Sequence, residues 1–145
     1  MFRFILILHL LGACIWVGGH LVLLLTILPK ALRDRDPSAV LRFEHGYERI
    51  GIPALLVQAV TGIWLASRYV PGLWPAFTFA DPLRSAVAIK LLLLFATLVT
   101  GLHARLRIIP RLTPDRLSLL ATHVSLVSIM AVALLFVGAF IRTGA

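Results

Sequence analysis

The alternation of apolar and polar positions divides the chain into four long apolar runs, at roughly residues 4–28, 50–69, 84–105 and 116–141, separated by short basic or turn-rich stretches. Each run is long enough to cross the hydrocarbon core as a helix, which takes about 20 residues. Inside lipid no water is available to the backbone amides, so a lone segment satisfies them only by closing its own helical hydrogen bonds. The pattern predicts an all-α integral membrane protein, a four-helix bundle forming one transmembrane domain over residues 1–145.

Three proline signals refine the boundaries. Asp36-Pro37, Asp81-Pro82 and Thr113-Pro114 each put a capping oxygen before a proline suited to a first helical turn. The first falls well ahead of the second apolar run. It predicts a short amphipathic cytoplasmic helix, "PSAVLRFEHGYERIG", lying at the interface or running into span two, with Gly51 and Pro53 permitting a kink.

Composition agrees with the pattern: 60% of the 145 residues are hydrophobic and 14% charged. The formal charge of +8 would by itself suggest nucleic acid, but the cations lie in short segments between apolar runs. Lys30, Arg33, Arg35, Arg42 and Arg49 surround the first connection, and Arg105, Arg107, Arg111 and Arg116 the third. These two connections share one side of a four-span protein. The positive-inside rule puts them in the cytoplasm and both termini outside it, as in a multi-pass protein of the cell inner membrane, with no nucleic-acid partner. The long second connection, "YVPGLWPAFTFADPLR", supplies Trp74, Phe77 and Phe79 as an interfacial aromatic belt.

A single cysteine, Cys14, excludes an internal disulfide and any Cys-x-x-Cys metal motif. Leu11-Gly12-Ala13-Cys14 has the look of a lipid-attachment box. It is followed by further apolar helix rather than by polar mature sequence, so the segment reads as a retained first span.

Polar side chains in hydrocarbon are costly, which makes their positions the main functional signal. In span one His9 and His20 are eleven residues apart, about 16 Å along one face, with Trp16 on the same stripe. Counted from the helix ends, His20, His103 and His123 fall at one depth in the inner half, with His45 beneath them. Three imidazoles from three helices at one level are a ligand pool for haem iron, copper or zinc, and each alone is equally well read as an interhelical hydrogen bond. Haem needs one or two axial ligands and an apolar slot, which Gly12, Gly18, Gly19, Gly62 and Gly101 could open, although the same glycines also serve close helix packing. Copper(I) favours sulfur ligands, and only Met130, seven residues after His123, lies within a span to join Cys14. Lys90, within "SAVAIKLLLLF", either snorkels to the outer surface or meets an anionic substrate such as a porphyrin propionate. Gln58 and Thr61 offer hydrogen bonds between helices and nothing more specific.

His9 with Trp16, "ERIGIPALLVQAVTGIWL" in span two and "IKLLLLFATLVTGLHARLR" in span three resemble the HemJ type of protoporphyrinogen oxidase and the related copper-resistance protein D (CopD) membrane domain, over roughly the first 110 residues. The resemblance implies a small helical membrane protein, bound haem b and oxidation of protoporphyrinogen IX for the first, and copper movement for the second. His9, Trp16, Lys90 and His103 stand at positions resembling the pattern, whereas the fourth span departs from it and His20 and His123 are additions.

The resulting expectation is a membrane redox protein holding haem b between its helices. His20, His103 and His123 form the ligand pool, and His9, Trp16 and Lys90 the outer contact to a quinone or porphyrin. The alternatives are a copper-handling protein using His9, His20, His123 and Met130, and a non-catalytic subunit of a larger membrane complex. A homo-oligomer or a partner membrane subunit is compatible with each.

Overall fold

The computed structural model describes residues 1–144. It contains four long helices: α1 (Phe2–Asp34), α2 (Ser38–Tyr69), α3 (Pro82–Arg111) and α4 (Pro114–Thr143), each long and apolar enough to span a membrane. No strand occurs among the described residues. The apolar side chains point outward as much as inward: Phe95 is 67% exposed and Phe136 74%. A water-soluble protein does not present such a surface, and a lipid-embedded one requires it. The protein is a multi-pass membrane protein.

The helices are longer than the apolar runs because hydropathy reports only the stretch in hydrocarbon, while a helix continues into the headgroup layer. This corrects one expectation. The amphipathic segment before span two is not a separate helix: Ser38–Tyr69 is a single α-helix that runs through Gly51 and Pro53, so residues 38–49 are its first turns. Two of the three expected caps form. Asp81 accepts the Arg84 amide at 2.8 Å. Asp36 accepts both the hydroxyl and the amide of Ser38, at 2.6 and 2.8 Å, and these bonds hold its carboxyl below the usual carboxylate range. Thr113 does not cap through its side chain, because the chain enters α4 by a 3-10 turn, Pro114–Arg116, closed by its backbone carbonyl.

Both helices that run toward the basic connections carry a proline near that end, Pro29 in α1 and Pro110 in α3. A proline has no amide hydrogen and crowds the carbonyl four residues back. In each case the backbone widens just before it into a π turn, Leu23–Ile27 and Ala104–Ile108. The Leu28 amide then reaches the Leu23 carbonyl, and the Ile109 amide reaches that of Ala104.

Packing is uneven along the membrane normal. The helices form two close antiparallel hairpins, α1 with α2 and α3 with α4. At the basic end all four helices meet in one core built around Leu23, Leu28, Val40, Ile108, Leu117 and Leu120. Two ion pairs close that end: Arg35 with Asp115 at 2.9 Å, joining the first and third connections, and Arg105 with Glu48, joining α3 to α2. Arg35 adopts a left-handed backbone (φ 52°, ψ 34°) to end α1. At the opposite, terminal end, a smaller cluster of Val70, Ala76, Val87 and Ala88 ties the long connection to α3. That connection folds as a 3-10 turn, Trp74–Thr78, leaving Trp74 79% exposed where an interfacial anchor would stand. Between these two clusters the hairpins separate.

Within the first hairpin the contact depends on Gly12. A methyl group there would lie 2.9 Å from the Ala54 carbonyl oxygen and 3.1 Å from Gln58 Cβ, whereas one at Gly18 would meet nothing within 4 Å. Gly12→Ala is therefore expected to destabilise the protein by about 1–3 kcal/mol through overpacking. Gly18→Ala should be neutral or stabilising by up to about 1 kcal/mol through helix propensity. Thermal unfolding in detergent checks the pair, and equal melting temperatures would overturn this account of the hairpin.

Candidate functional site

The separation of the hairpins leaves a cavity of about 340 Å³ lined by all four helices, in the size range of small-molecule sites. Its walls are mainly Leu, Ala and Val side chains. His9 and Gln58 enter it from the first hairpin and Lys90 and Arg142 from the second, with Tyr69 toward the terminal end.

His9 is 9% exposed and tightly held. Its Nδ1–H donates to the Gln58 carbonyl at 3.0 Å and to Thr61 Oγ1 at 3.1 Å. Neither acceptor leaves the hydrogen's position open. A carbonyl only accepts, and the Thr61 hydroxyl already gives its own hydrogen to the Val57 carbonyl at 2.5 Å. Nδ1 therefore carries a hydrogen, and in the neutral ring Nε2 keeps a bare lone pair. The ring lies over Gly62, where a Cβ would come within 2.9 Å of Cε1. Gln58, Thr61 and Gly62 occupy positions i, i+3 and i+4 on one face of α2, and together they fix both the height and the tautomer of the imidazole.

On the facing wall the Lys90 ammonium lies against Gly138, where a Cβ would be 2.6 Å from Nζ. No carboxylate of the described residues is within ion-pair reach of it. The cavity has two cations and no acid among its lining residues. The side-chain oxygen of Gln58 is buried there without a hydrogen-bond partner. The apolar chamber thus presents one imidazole edge, one orphaned acceptor and two basic side chains.

The inner histidines arrange differently from a three-helix ligand layer. His103 and His123 do meet, Nδ1 to Nε2, at 3.0 Å, with their rings stacked at 5.1 Å between centroids. His20 does not join them. Its Nδ1–H donates to the Trp16 carbonyl at 2.9 Å, and its ring packs on Trp16 at 4.2 Å and edge-on to Tyr47 at 6.3 Å. The Tyr47 hydroxyl donates to the Ile15 carbonyl at 2.9 Å, tying α2 to α1 at that level. His45 is exposed on α2. No group of three or more His, Cys, Asp or Glu side chains converges on a metal position among the described residues. Coincident depth did not translate into coincident direction. Trp16 does not line the cavity, and its indole nitrogen is buried without a partner. Cys14 is free and exposed.

Sequence reasoning placed His9 and Lys90 in an outer site but gave Gln58 and Thr61 no role there and missed Arg142 and Gly138. A signal existed for Thr61 and Gly62: small and polar residues following Gln58 on one face of an apolar helix. Nothing in the sequence pairs Gly138 with Lys90, since that depends on the register of α4 against α3.

These hydrogen bonds make a spectroscopic prediction. In protein labelled with 15N-histidine at neutral pH, His9, His20 and His123 should carry hydrogen on Nδ1, because each donates that hydrogen to a backbone carbonyl. A protonated Nε2 on neutral His9 would overturn the geometry given above.

Comparison with known proteins places the chain more firmly. No curated protein and no solved structure matches it. Residues 41–141 match the copper resistance protein D (CopD) family, a stretch that takes in nearly all of α2, the whole of α3 and almost all of α4. The match includes Gln58, Thr61, Lys90, His103 and His123, while His9, Trp16 and His20 precede it. With well over half of its length matched, this four-helix membrane protein belongs to the copper resistance protein D family.

Proposed function

We propose that the protein binds haem b in the cavity between its two hairpins, where His9 Nε2 would hold the iron, and serves membrane electron transfer or the oxidation of a tetrapyrrole. The observation carrying this reading is the buried His9 imidazole, fixed from behind by the Gln58 carbonyl and Thr61, that shares an apolar chamber with Lys90 and Arg142. Iron-ligating histidines are usually held in this way, with the second ring nitrogen bonded to a carbonyl. Haem asks for one or two axial nitrogens and apolar walls, and its propionates ask for cations. The donor set meets these needs without a cluster of three protein ligands.

When bound, haem supplies the one-electron chemistry. The chain does the rest: His9 fixes the position of the iron-binding nitrogen, Lys90 and Arg142 neutralise carboxylates, and the leucine-rich walls exclude water. The lateral gap between hairpins admits a quinone or porphyrin from the bilayer, and the basic end faces the cytoplasm. Copper is the second reading, favoured by the family match. It has no three-ligand site in the described residues to use.

Protein purified in mild detergent, as isolated or after addition of haemin, should show reduced-minus-oxidised Soret and α bands. His9→Ala should abolish them, and Lys90→Met should lower the midpoint potential by removing a cation near the ferric centre. The same bands should persist in His20→Ala, His103→Ala and His123→Ala. Absence of bands in the wild-type protein, or an unchanged spectrum in His9→Ala, would overturn the proposal.

A further inference from the structure

Outside the cavity, the contact between His103 and His123 joins α3 to α4 just inside the end of the third apolar run. His103 is exposed and His123 partly so. The pair therefore faces outward, whereas polar side chains of membrane helices generally turn toward the bundle. Its hydrogen bonds run in one direction. His123 Nδ1–H donates to the Leu119 carbonyl at 3.0 Å, and in the neutral ring its Nε2 accepts the His103 Nδ1 hydrogen, also at 3.0 Å. The relay ends at His103 Nε2, an acceptor in the neutral ring. Acyl chains have no hydrogen to give it.

Two unpaired cations share this flank. His103 and Arg107 each precede a residue of the joint, Ala104 and Ile108, and the π turn Ala104–Ile108 makes the step between them close to one full turn. On α4, Arg116 and His123 stand in the same relation to Leu117 and Val124. The histidine contact shows that the two flanks face each other. Arg107 and Arg116 are exposed and pair with no carboxylate among the described residues, since Glu48 holds Arg105 and Asp115 holds Arg35. Toward the bilayer centre, exposed Val99 and Leu126 continue the same flanks. The face between α3 and α4 is thus a lane that runs from apolar to hydrogen-bonding to cationic. An anionic phospholipid passes from acyl chains to headgroup in the matching order.

We infer that this lane binds one anionic phospholipid of the leaflet at the basic end, its phosphate between Arg107 and Arg116 and a headgroup hydroxyl donating to His103 Nε2. Guanidinium groups suit the phosphate because each offers paired N–H donors to its oxygens. Basic recesses between membrane helices are a recurrent setting for such headgroups. The chemistry required is a phosphodiester bearing a neutral polyol, as in phosphatidylglycerol. A choline substituent brings a cation among the arginines and no hydrogen to donate. A free polyol phosphate has the polar groups but nothing to lay along Val99 and Leu126, so the occupant is the lipid.

The site uses no residue of the cavity, so it and the haem reading fail separately. The test is native mass spectrometry of full-length, detergent-purified protein titrated with phosphatidylglycerol, phosphatidylcholine, and phosphatidylmethanol, which keeps the charge but lacks the hydroxyls. Phosphatidylglycerol is expected to bind tightest and phosphatidylcholine weakest. Arg107→Gln and Arg116→Gln should each weaken both anionic lipids about five-fold, the worth of one charge near the membrane surface. Lys30→Gln and Arg33→Gln, which remove exposed cations from the end of α1, should change neither. His103→Leu should abolish the preference for phosphatidylglycerol over phosphatidylmethanol. Should that variant prove unstable, the wild-type preference between the two anionic lipids tests the hydroxyl, and the exposed arginines test the phosphate. Equal losses in the α1 and arginine variants, equal wild-type affinity for the two anionic lipids, a preference that survives in His103→Leu, or displacement of the lipid by free glycerol phosphate would each overturn the inference.

Discussion

The cavity of this protein depends on the packing that joins the two hairpins at the basic end. Leu23, Leu28, Val40, Ile108, Leu117 and Leu120, contributed by all four helices, form a dense core there, and the pairs Arg35–Asp115 and Glu48–Arg105 close over it. The ion pairs are partly solvated and are each worth little, about 0–1 kcal/mol. The apolar core is what joins the two hairpins. Because that joint holds the basic end and the smaller cluster around Val70 and Val87 packs at the other, the hairpins can stand apart between them, which leaves the cavity.

The polar groups inside the spans follow one economy. His9, His20 and His123 all give Nδ1–H to a backbone carbonyl, and Thr61, Thr97 and Ser67 give their hydroxyls to carbonyls three or four residues back. In a medium without water each donor is satisfied by the nearest helix, at little entropic cost. In the neutral rings this leaves Nε2 as an acceptor, which in His123 takes the His103 Nδ1 hydrogen.

The four spans could be read in the sequence because lipid enforces a simple rule on apolar length, and the Asp81 cap because aspartate before proline has a local meaning. The terminal-end site was partly legible: His9 and Lys90 stood out as polar residues in hydrocarbon. Their surroundings were not, since Gly62 under the His9 ring and Gly138 beside Lys90 reflect how one helix is rotated against another. Depth along an axis follows from counting residues, but rotation does not. Of the expected layer of His20, His103 and His123, the structure brings His103 and His123 together, while the His20 ring turns back along α1 onto Trp16. Of the two readings of the amphipathic segment of residues 37–51, it runs into span two and is not a separate cytoplasmic helix, because charge marks where the membrane ends, not where a helix does.

The π turns before Pro29 and Pro110 make rotation harder still to read. A π turn acts as a single residue inserted into an α-helix: it leaves the axis running on but turns every later side chain by about 100°. Leu23 and Leu28, five residues apart, would point well away from each other on a regular wheel, yet both are 2% exposed in the same core. The shift re-phases the end of α1, bringing Ala31 onto the inner face and sending Lys30 and Arg33 out. Two prolines that look like helix breakers therefore work as phase shifters. They give each helix one stripe that faces the cavity and another that faces the joint.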